Sequence, residues 1–483
     1  MQDLEYIFNP RSIAVVGASR NPEKQGYRYV EILREFGFEG KIYPVNPKAS
    51  EILGLKSYPK IGDIAGSVDY VISTIPASGL PKLIEECSTK RVKAIQLYTG
   101  RLAETGEEES IRLEEEIAHA AQKNKIRLIG PNCMGIYHPK EGISFSANFP
   151  KEGGFVAFLS QSAGHTFEVV YRGGVRGLRF SKVISYGNAS DLNEVDFIRY
   201  LAHDPETKII SVYIEGVRDT KHFPHVLQEA ARMKPTVILK GGRTDAGSRA
   251  VSSHTASLAG SRAIWDALCR QAGVIHADTV EEMVDILVTL SFLSPLKGRR
   301  VGVAGAGGGG SVAMADECEN NGLTVPPLPS DIVAELKRLF PHEGNLIKNP
   351  IDLSVTAEGA GIMLEALLYA MELIAKHPEF DLLICDTAVE RVLESIEWQG
   401  MFQGIVAMFI QIGKESKKPM AVVMRSADSP EEWRWKSIVT EQERCIQAGF
   451  PIYPTIARAA KAISEVVKYN LSNATRRLGG KKK

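Results

Sequence analysis

One histidine stands in a long polar segment of the chain, where it could carry a phosphoryl group. Residues 240–260 leave a predicted strand, cross a polar loop that contains glycines and present His254 before a helix start made of small residues. A histidine in a mobile loop can take a phosphoryl group on one ring nitrogen while a carboxylate holds the other. An ordinary surface histidine would fit the same residues, so the neighbouring motifs must decide between the two interpretations.

Two other turns have the composition of phosphate-binding helix starts. Residues 160–164 (SQSAG) and residues 305–311 (GAGGGGS) each follow a predicted strand and open a predicted helix. A helix N-terminus offers free N–H donors and about half a positive charge to an anion. We interpret His165, beside the first turn, as a helix-end residue. We predict that phosphate is bound by Ser160, Ser162, Ala163 and Gly164 and by Gly308, Gly309, Gly310 and Ser311.

The turn after the first predicted strand is a third candidate for phosphate binding. Only Gly17 occupies the dinucleotide fingerprint GxGxxG, and the second strand ends in Pro47 and Lys48 instead of the acidic residue that NAD requires. A cation there suits the ribose 3′-phosphate of CoA, and it would also suit NADP. A glycine needed only for the strand-to-helix turn is the plainer alternative. Cys133, in the turn-rich residues 130–135, is a weak candidate nucleophile because no histidine or acid lies near it in sequence.

The elements that must position these residues alternate between short β-branched runs and helical stretches, which predicts a parallel α/β architecture. We predict three consecutive doubly wound domains, at residues 1–137, 150–295 and 298–470, with residues 138–154 as a linker. Residues 328–353 are predicted as helix plus loop. The strands are predicted at residues 12–19, 41–45, 69–76, 93–99, 127–130, 155–159, 182–185, 209–214, 236–239, 300–304, 323–325, 382–385, 420–424 and 452–453.

Composition narrows the class of protein. The 483 residues are 44% apolar and 24% charged, with 58 basic and 58 acidic residues, so no net field favours nucleic acid or an anionic membrane. The six scattered cysteines contain no CxxC pair, which argues against a disulfide framework and against a zinc site. No apolar run approaches the ~18 residues of a membrane helix, and the first residues do not form a secretory signal. We therefore expect a cytoplasmic protein that binds neither nucleic acid nor membrane.

Taken together, the motifs resemble the alpha subunit of the ADP-forming (NDP-forming) acetyl-CoA and acyl-CoA synthetases, which are relatives of succinyl-CoA synthetase. The resemblance covers nearly the whole chain and implies a Rossmann-like CoA-binding domain followed by two flavodoxin-like ligase domains. Residues 253–260 are similar to the family's phosphohistidine loop, which makes His254 the implied phosphoryl carrier and Glu215 the carboxylate that orients it. The implied CoA-binding residues are Gly17, Ser19, Pro47, Lys48, Asn132 and Cys133.

The sequence departs from the family's usual pattern at several positions. Ala163 and Ala256 stand where glycine is usual near the phosphate site and the histidine. In the loop of residues 97–106, Tyr98 and Arg101 stand where a smaller residue and an aromatic are more usual. The sequence therefore does not specify which acyl group the protein uses.

The resemblance implies a ligase subunit that interconverts acyl-CoA, ADP and phosphate with free acid, CoA and ATP. The family also needs an ATP-grasp domain, and no P-loop occurs in the sequence. The resemblance thus implies a separate ATP-grasp beta subunit that binds ADP or ATP with Mg²⁺, in a hetero-oligomer. Two alternatives remain open: a CoA-binding regulatory or scaffold protein without phosphoryl transfer, and a nicotinamide-dependent oxidoreductase.

Overall fold

The chain divides into two compact units. The computed structural model describes residues 4–255, 262–293, 295–305, 307–342, 347–353, 360–425 and 429–479. The first unit is Met1–Met283 and the second is Val284–Lys483. Within the described residues, no helix combines the length and the apolar character needed to cross a membrane.

The first sheet has five parallel strands in the order β2-β1-β5-β6-β7. Its strands are β1 (Ser12–Val16), β2 (Lys41–Val45), β5 (Tyr70–Ser73), β6 (Ala94–Leu97) and β7 (Arg127–Ile129), and β3 (Glu51–Ile52) pairs with β4 (Leu55–Lys56) in a separate hairpin. All five residues of β1 are buried, as expected for a strand covered by helices on both faces. The helices of this region are α1 (Glu5–Phe8), α2 (Gln25–Glu35), α3 (Leu80–Thr89) and α4 (Glu108–Lys123).

The second sheet, also in the first unit, has six strands in the order β13-β12-β11-β9-β10-β8. They are β8 (Gly135–Tyr137), β9 (Val156–Ser160), β10 (Phe180–Ser185), β11 (Ile209–Ile214), β12 (Thr236–Lys240) and β13 (Ile275–Ala277). The edge strand β8 pairs antiparallel with β10, and the others pair in parallel. The helices are α5 (Ala163–Val175), α6 (Glu194–His203), α7 (Phe223–Met233), α8 (Asp245–Thr255), α9 (Arg262–Ala272) and α10 (Val280–Phe292), and α10 crosses from the first unit to the second.

The third sheet lies in the second unit, with five parallel strands in the order β15-β14-β16-β17-β18. They are β14 (Val301–Gly305), β15 (Ile351–Asp352), β16 (Leu382–Asp386), β17 (Met420–Val423) and β18 (Ile452–Tyr453). The helices are α11 (Gly308–Asn320), α12 (Ser330–Leu339), α13 (Ala360–Lys376), α14 (Val389–Val392), α15 (Gln399–Ser416), α16 (Glu432–Gln447) and α17 (Ile456–Gly479). The predicted strand at residues 323–325 is wrong, because only Thr324 forms a single bridge, with Arg300.

All three sheets have the same strand order when their five parallel strands are numbered along the chain, namely 2-1-3-4-5. This is the order of doubly wound α/β folds, which bind ligands at the carboxyl ends of the strands where the order reverses. The predicted fold class is confirmed. Each of the three predicted phosphate-binding turns follows the first parallel strand of its sheet, at that reversal point. We propose the boundaries 1–137, 150–295 and 298–470 as the domain divisions, which follow the three sheets except at β8, a strand of the second sheet.

Residues 138–154 do not form the predicted linker. Their glycines and prolines suggested a connection between domains, but Phe145 and Phe149 are only 3% and 5% exposed. Burial of these rings outweighs the loop character of their neighbours. In addition, β8, at the end of the first predicted domain, pairs with β10 of the second sheet.

The predicted loop around His254 is also wrong in part, because Asp245–Thr255 form the helix α8. Thr244 caps its start: the Gly247 N–H donates to Thr244 Oγ1 at 3.1 Å, and the Ser248 N–H donates to the Thr244 carbonyl at 2.7 Å. Such a cap stabilises a helix that composition alone did not indicate. The backbone of His254 therefore lies in the last turn of α8. The side chain of His254 and residues 256–261 lie outside the described residues.

A buried ion network fixes β10 to the segment after α6. The side chains of Lys182 and Asp204 are 2% and 3% exposed, and Lys182 Nζ donates to Asp204 Oδ2 at 3.0 Å and to Glu206 Oε2 at 2.6 Å. Glu206 also bonds to the exposed Lys140 and lies 3.1 Å from His138 Nε2. Burial opposes ionisation of Glu206, but the hydrogen bonds from Lys140 and Lys182 outweigh it and lower its pKa to about 2.

The Lys182→Met substitution tests this network. It leaves the Asp204 carboxylate buried without its cation, so we expect the free energy of unfolding to fall by about 3–5 kcal/mol. Urea unfolding followed by circular dichroism at neutral pH measures the change. Lys140→Met is the matched control, because it removes an exposed partner of the same Glu206 carboxylate and should cost far less. An equal loss of unfolding free energy in the two variants would contradict the conclusion that Lys182 is the buried cation on which Asp204 depends.

Candidate functional site

The turn after β1 brings backbone so close to backbone that side chains have no room. Gly17 has a φ of +89°, and a Cβ on it would lie 2.6 Å from Thr74 Oγ1. A Cβ on Gly26, in the first turn of α2, would lie 2.1 Å from the Gly17 carbonyl oxygen. The glycines thus let the turn close tightly onto the start of α2, where main-chain N–H groups are available to an anion.

The end of β2 is joined to this turn by one asparagine. Asn46 Nδ2 donates to the Ala18 carbonyl at 2.6 Å, and Asn46 Oδ1 accepts from the Lys48 N–H at 2.7 Å. Ser19 Oγ accepts from the N–H two residues further on at 3.0 Å, which shapes the turn. Pro47 and Lys48 are exposed. The structure thus brings together four of the predicted CoA-binding residues, and a tight backbone turn beside an exposed cation fits a phosphorylated ligand.

Residues 130–135, the other predicted CoA-binding segment, are clamped from two sides. The Asn132 N–H donates to the Thr99 carbonyl at 2.8 Å, and the Asn188 N–H donates to the Pro131 carbonyl at 3.0 Å. Gly187, with a φ of +56°, comes so close that a Cβ on it would lie 2.1 Å from the Pro131 oxygen. Asn132 itself is exposed. The segment after β10 therefore holds Asn132 in place.

Cys133 serves the structure of this turn rather than nucleophilic chemistry. It is 2% exposed, and its Sγ donates to the carbonyls of Leu97 and Ile129, each at 3.5 Å. Burial raises the pKa of the thiol to about 12, so the thiolate is not populated at neutral pH. Any contact of Cys133 with a ligand would have to come from its backbone.

The turn between β9 and α5 is a capped helix start. Ser162 Oγ accepts from the His165 N–H at 3.3 Å, and Ser160 Oγ donates to the Ser162 carbonyl at 2.8 Å. Ala163 is half-buried and Gly164 is exposed, and both belong to the first turn of α5. The first N–H groups of a helix have no partner within it. The first backbone N–H groups of α5 are therefore available to a small anion, and the phosphate site at Ala163 and Gly164 stays a prediction.

Glu215 is tied directly to this helix start. Gln161 is buried, and its Oε1 accepts from the N–H groups of Glu215 and, at 3.0 Å, of Gly216. The Glu215 side chain accepts from the Tyr213 hydroxyl at 3.1 Å, and Lys240 Nζ donates to the Glu215 carbonyl at 2.7 Å. The carboxylate thus lies at the carboxyl ends of β11 and β12, next to the start of α5. Sequence reasoning had not given Gln161, Tyr213 or Lys240 a role in the site.

His165 is another residue that sequence reasoning set aside. Its ring packs edge-on against Tyr213 at 4.3 Å between centroids, and its Nδ1 lies 3.3 Å from Glu168 Oε2. Burial and the Glu215 carboxylate raise the pKa of Tyr213, so its hydroxyl stays a donor. No spacing in the sequence predicts these contacts, because His165 lies in α5 and Tyr213 lies in β11, far away along the chain.

The second predicted phosphate turn lies in the second unit. Gly307 has a φ of +39°, and its carbonyl accepts from the Ser311 N–H at 2.8 Å. Ser311 is 9% exposed, and its Oγ has no hydrogen-bond partner among the described residues. A Cβ on Gly305 would lie 2.7 Å from Asp386 Cβ, so β14 must end in a glycine here. The first turn of α11 consists of Gly308, Gly309, Gly310 and Ser311.

Two family models match the parts of the chain that carry the turns after β1 and β9, and neither of these two matches includes residues 305–311. A model described as a CoA binding domain matches residues 11–139. A model described as a succinyl-CoA ligase like flavodoxin domain matches residues 153–290. A CoA-binding domain and a succinyl-CoA-ligase-like domain in one chain define the class of α/β acyl-CoA ligases.

Relatives narrow the class further. The acetate–CoA ligase [ADP-forming] II subunit alpha of Pyrococcus furiosus is 38% identical over 79% of this chain and 81% of its own length. The acetate–CoA ligase [ADP-forming] of Methanocaldococcus jannaschii is 37% identical over 73% of this chain, which spans about half (49%) of that relative. A dinucleotide forming acetyl-coenzyme A synthetase 1 of Ca. Korarchaeum cryptofilum, solved with phosphate and ADP, has a TM-score of 0.82 at 30% identity and 99% coverage of both chains. The chain therefore belongs to the family of ADP-forming acetyl-CoA and acyl-CoA synthetase alpha subunits, which are ligases.

The contact between Gly187 and Pro131 generates a test of the site's architecture. We expect Gly187→Ala to displace residues 130–135 and to weaken CoA binding about tenfold or more, a cost of ~1.4 kcal/mol. Isothermal titration calorimetry with CoA measures the change. Gly54→Ala is the matched control: Gly54 has a φ of +75°, but no atom lies within 4 Å of the place that a Cβ would take, so the variant carries the same backbone strain without the clash. Equally weakened CoA binding in both variants would show that the contact between Gly187 and Pro131 is not what the CoA site depends on.

Proposed function

We propose that this chain is the phosphohistidine-carrying alpha subunit of an ADP-forming acyl-CoA synthetase, which interconverts acyl-CoA, ADP and phosphate with free acid, CoA and ATP. The observation that carries the proposal is the bond between Gln161 and the backbone of Glu215. This bond joins the turn before α5, which we propose binds an anion, to the backbone of the residue whose carboxylate we propose orients His254. The segment that contains His254 begins directly after β12, the neighbour of β11 in the sheet.

The proposed reaction has two covalent steps on this chain. Phosphate attacks the thioester carbonyl of acyl-CoA, and the carbon–sulfur bond breaks, so that CoA leaves as the thiol and an acyl phosphate forms. A ring nitrogen of His254 then attacks phosphorus, and the free carboxylate leaves. The phosphoryl group passes afterwards from His254 to ADP. Division into two steps separates the thioester chemistry from the nucleotide chemistry.

The residues of the chain would bind and orient the reacting groups. The first-turn N–H groups of α5, at Ala163 and Gly164, would stabilise the charge on the phosphate oxygens. The start of α11, at Gly308, Gly309, Gly310 and Ser311, is proposed as a second phosphate-binding helix start. Glu215 would accept a hydrogen bond from the ring nitrogen of His254 that does not carry phosphate. This contact would fix the tautomer and stabilise the cation that forms on transfer.

CoA is proposed to bind to the first sheet, with its 3′-phosphate near Lys48 and its backbone contacts at Gly17, Ser19, Pro47, Asn132 and Cys133. The match of residues 11–139 to a CoA-binding model favours CoA over a nicotinamide cofactor for this cation. The tight turn at Gly17 and the exposure of Lys48 and Asn132 agree with that assignment.

ADP or ATP and Mg²⁺ are proposed to bind to a separate ATP-grasp beta subunit in a hetero-oligomer. The relative named as an alpha subunit is matched over 81% of its length, whereas the relative without a subunit label is matched over 49%. The name of the first relative, a subunit alpha, supports a division of the activity between two polypeptides. Acyl-CoA and the carboxylic acid are the small molecules that this chain itself would bind.

A second candidate function is a CoA-binding regulatory or scaffold protein that has lost phosphoryl transfer. Ala163 favours it, because a methyl group occupies the position where the family usually has glycine in the phosphate turn. This alternative predicts CoA binding without any phosphorylation of His254.

The His254→Asn variant separates the two functions. Incubation of the wild-type chain with phosphate and an acyl-CoA should add one acid-labile phosphoryl group to the intact mass, and the variant should lose this adduct while it keeps CoA binding. His119→Asn, which alters an exposed histidine on α4, is the matched control and should be phosphorylated normally. An adduct that persists in His254→Asn would overturn the carrier assignment, and no adduct in any form, with the ATP-grasp partner added, would favour the scaffold.

The Glu215→Gln variant tests the orienting carboxylate. Loss of the charge should slow formation of the phosphoryl adduct by about 100-fold, within the range for a positioned proton acceptor. CoA affinity should not change. Quenched-flow mass measurements give the rate, and Glu152→Gln, which alters an exposed glutamate in the same unit, is the control. A variant with the wild-type rate would rule out Glu215 as the partner of His254.

A further inference from the structure

Tyr213 lies where the strands that carry the candidate site meet. It belongs to β11 and pairs in register with Ser160 of β9 and with Leu239 of β12. Its carbonyl accepts from the N–H of Gln161 at 3.3 Å. Glu215 comes two residues after Tyr213, and residues two apart along a strand share a face of the sheet. Tyr213 therefore lies between the turn before α5 and the start of the segment after β12.

The ring of Tyr213 is held from both of these neighbours. The side chain is 7% exposed, and the ring of His165 in α5 packs edge-on against it, with 4.3 Å between the centroids and 65° between the ring planes. On the side of β12, a Cβ on Gly241 would lie only 2.5 Å from the Tyr213 hydroxyl oxygen. The glycine thus leaves room for the hydroxyl, and the position of this hydroxyl is fixed by packing.

The hydroxyl of Tyr213 holds one oxygen of the Glu215 carboxylate. It donates to Glu215 Oε1 at 3.1 Å, and an ionised carboxylate only accepts hydrogen bonds. Within the described part of the chain, no hydrogen bond reaches the second oxygen, Glu215 Oε2. One oxygen is therefore occupied by a fixed donor, while the other can accept a hydrogen bond from a further group.

The other anchors of Glu215 reach only its main chain. Gln161 accepts from its N–H group, and Lys240 Nζ donates to its carbonyl at 2.7 Å. These bonds do not restrict the rotatable bonds of the side chain, which is half-buried. A side chain that is ordered before the reaction avoids the loss of conformational entropy during the transfer step. Tyr213 supplies that order to the carboxylate.

We propose that Tyr213 is a positioning residue for phosphoryl transfer, and that its hydroxyl holds Glu215 Oε1 so that Oε2 accepts the hydrogen bond from the ring of His254. This inference rests on the proposed function, which gives Glu215 the task of orienting that histidine. The ring of His165 keeps Tyr213 in place from α5. Tyr213 thus acts through Glu215 and contacts no substrate.

The Tyr213→Phe variant removes the hydroxyl and keeps the ring that packs against His165. Formation of the phosphoryl adduct from acetyl-CoA and inorganic phosphate should be about tenfold slower, as expected for the loss of a hydrogen bond to a charged group. Quenched-flow mass measurements with the full chain give the rate. Tyr200→Phe is the matched control, because it removes a hydroxyl that donates to Glu5 at 2.8 Å elsewhere in the same unit, and it should keep the wild-type rate.

A double variant separates positioning from a general loss of structure. If Tyr213 acts through Glu215, then Tyr213→Phe should add no further loss once the carboxylate is gone. The double variant Tyr213→Phe with Glu215→Gln should therefore be about as slow as Glu215→Gln alone. Two independent effects would instead multiply, to a rate about 1,000-fold below that of the wild-type chain. The dissociation constant of CoA and the phosphate concentration that gives half the maximal rate should not change.

The Gly241→Ala variant tests the same contact without a change to either partner. Its Cβ would meet the Tyr213 hydroxyl oxygen, so the hydroxyl must move and adduct formation should slow by about tenfold. In the Tyr213→Phe background, Gly241→Ala should cause no further loss, because the oxygen that the Cβ would meet is absent. Thermal unfolding verifies that all of these variants are folded.

The outcomes distinguish this inference from the function on which it rests. If the wild-type chain forms the adduct and Tyr213→Phe forms it at the same rate, only the inference about Tyr213 is overturned. An equal loss in Tyr200→Phe would overturn it as well, and so would a double variant in which the two losses multiply. If the wild-type chain forms no adduct, or if Glu215→Gln keeps the wild-type rate, the proposed function fails at this step and the inference fails with it.

Discussion

The carboxamide of Gln161 connects the two halves of the candidate site. Its oxygen accepts from the N–H groups of Glu215 and Gly216, which would otherwise be left unpaired where β11 ends. Buried N–H groups without partners are costly, so this residue fixes the distance between the start of α5 and the end of β11. The capped turn at Ser162, the Tyr213 hydroxyl and the Lys240 ammonium all lie around this connection. The proposed anion site and the backbone of Glu215 are held together by the fold itself.

The second constraint is the close approach of backbone to backbone in the first unit. Gly187 lies against Pro131, and Gly26 lies against Gly17, at distances that leave no room for a Cβ atom. The first contact joins the segment after β10 to the segment after β7, and so it links the CoA-binding region to the ligase-like region. A rigid link of this kind is needed if a thioester held by one region is to meet a phosphate held by the other.

The segment of residues 138–154 shows how a connection can become part of a site. Phe145 and Phe149 pack with Phe167 of α5, and together they form one wall of a cavity of about 800 Å³ next to the proposed phosphate turn. The apolar residues of α5 therefore lie on two different faces of the helix. Val169 and Val170 are buried in the fold, whereas Phe167 and Tyr171 face the cavity.

The sequence by itself determined the fold class, because apolar strands at crossover spacing admit few arrangements. It also determined the helix starts that follow residues 160–162 and residues 305–307, because glycine and serine at a helix start are a local signal. It did not determine what comes together from distant strands. The contacts of Gln161 with Glu215 and of His165 with Tyr213, and the burial of Phe145, depend on strand order and packing. The helical state of Asp245–Thr255 was not predicted either, because the glycines of the segment indicated a loop, whereas Thr244 caps the start of the helix.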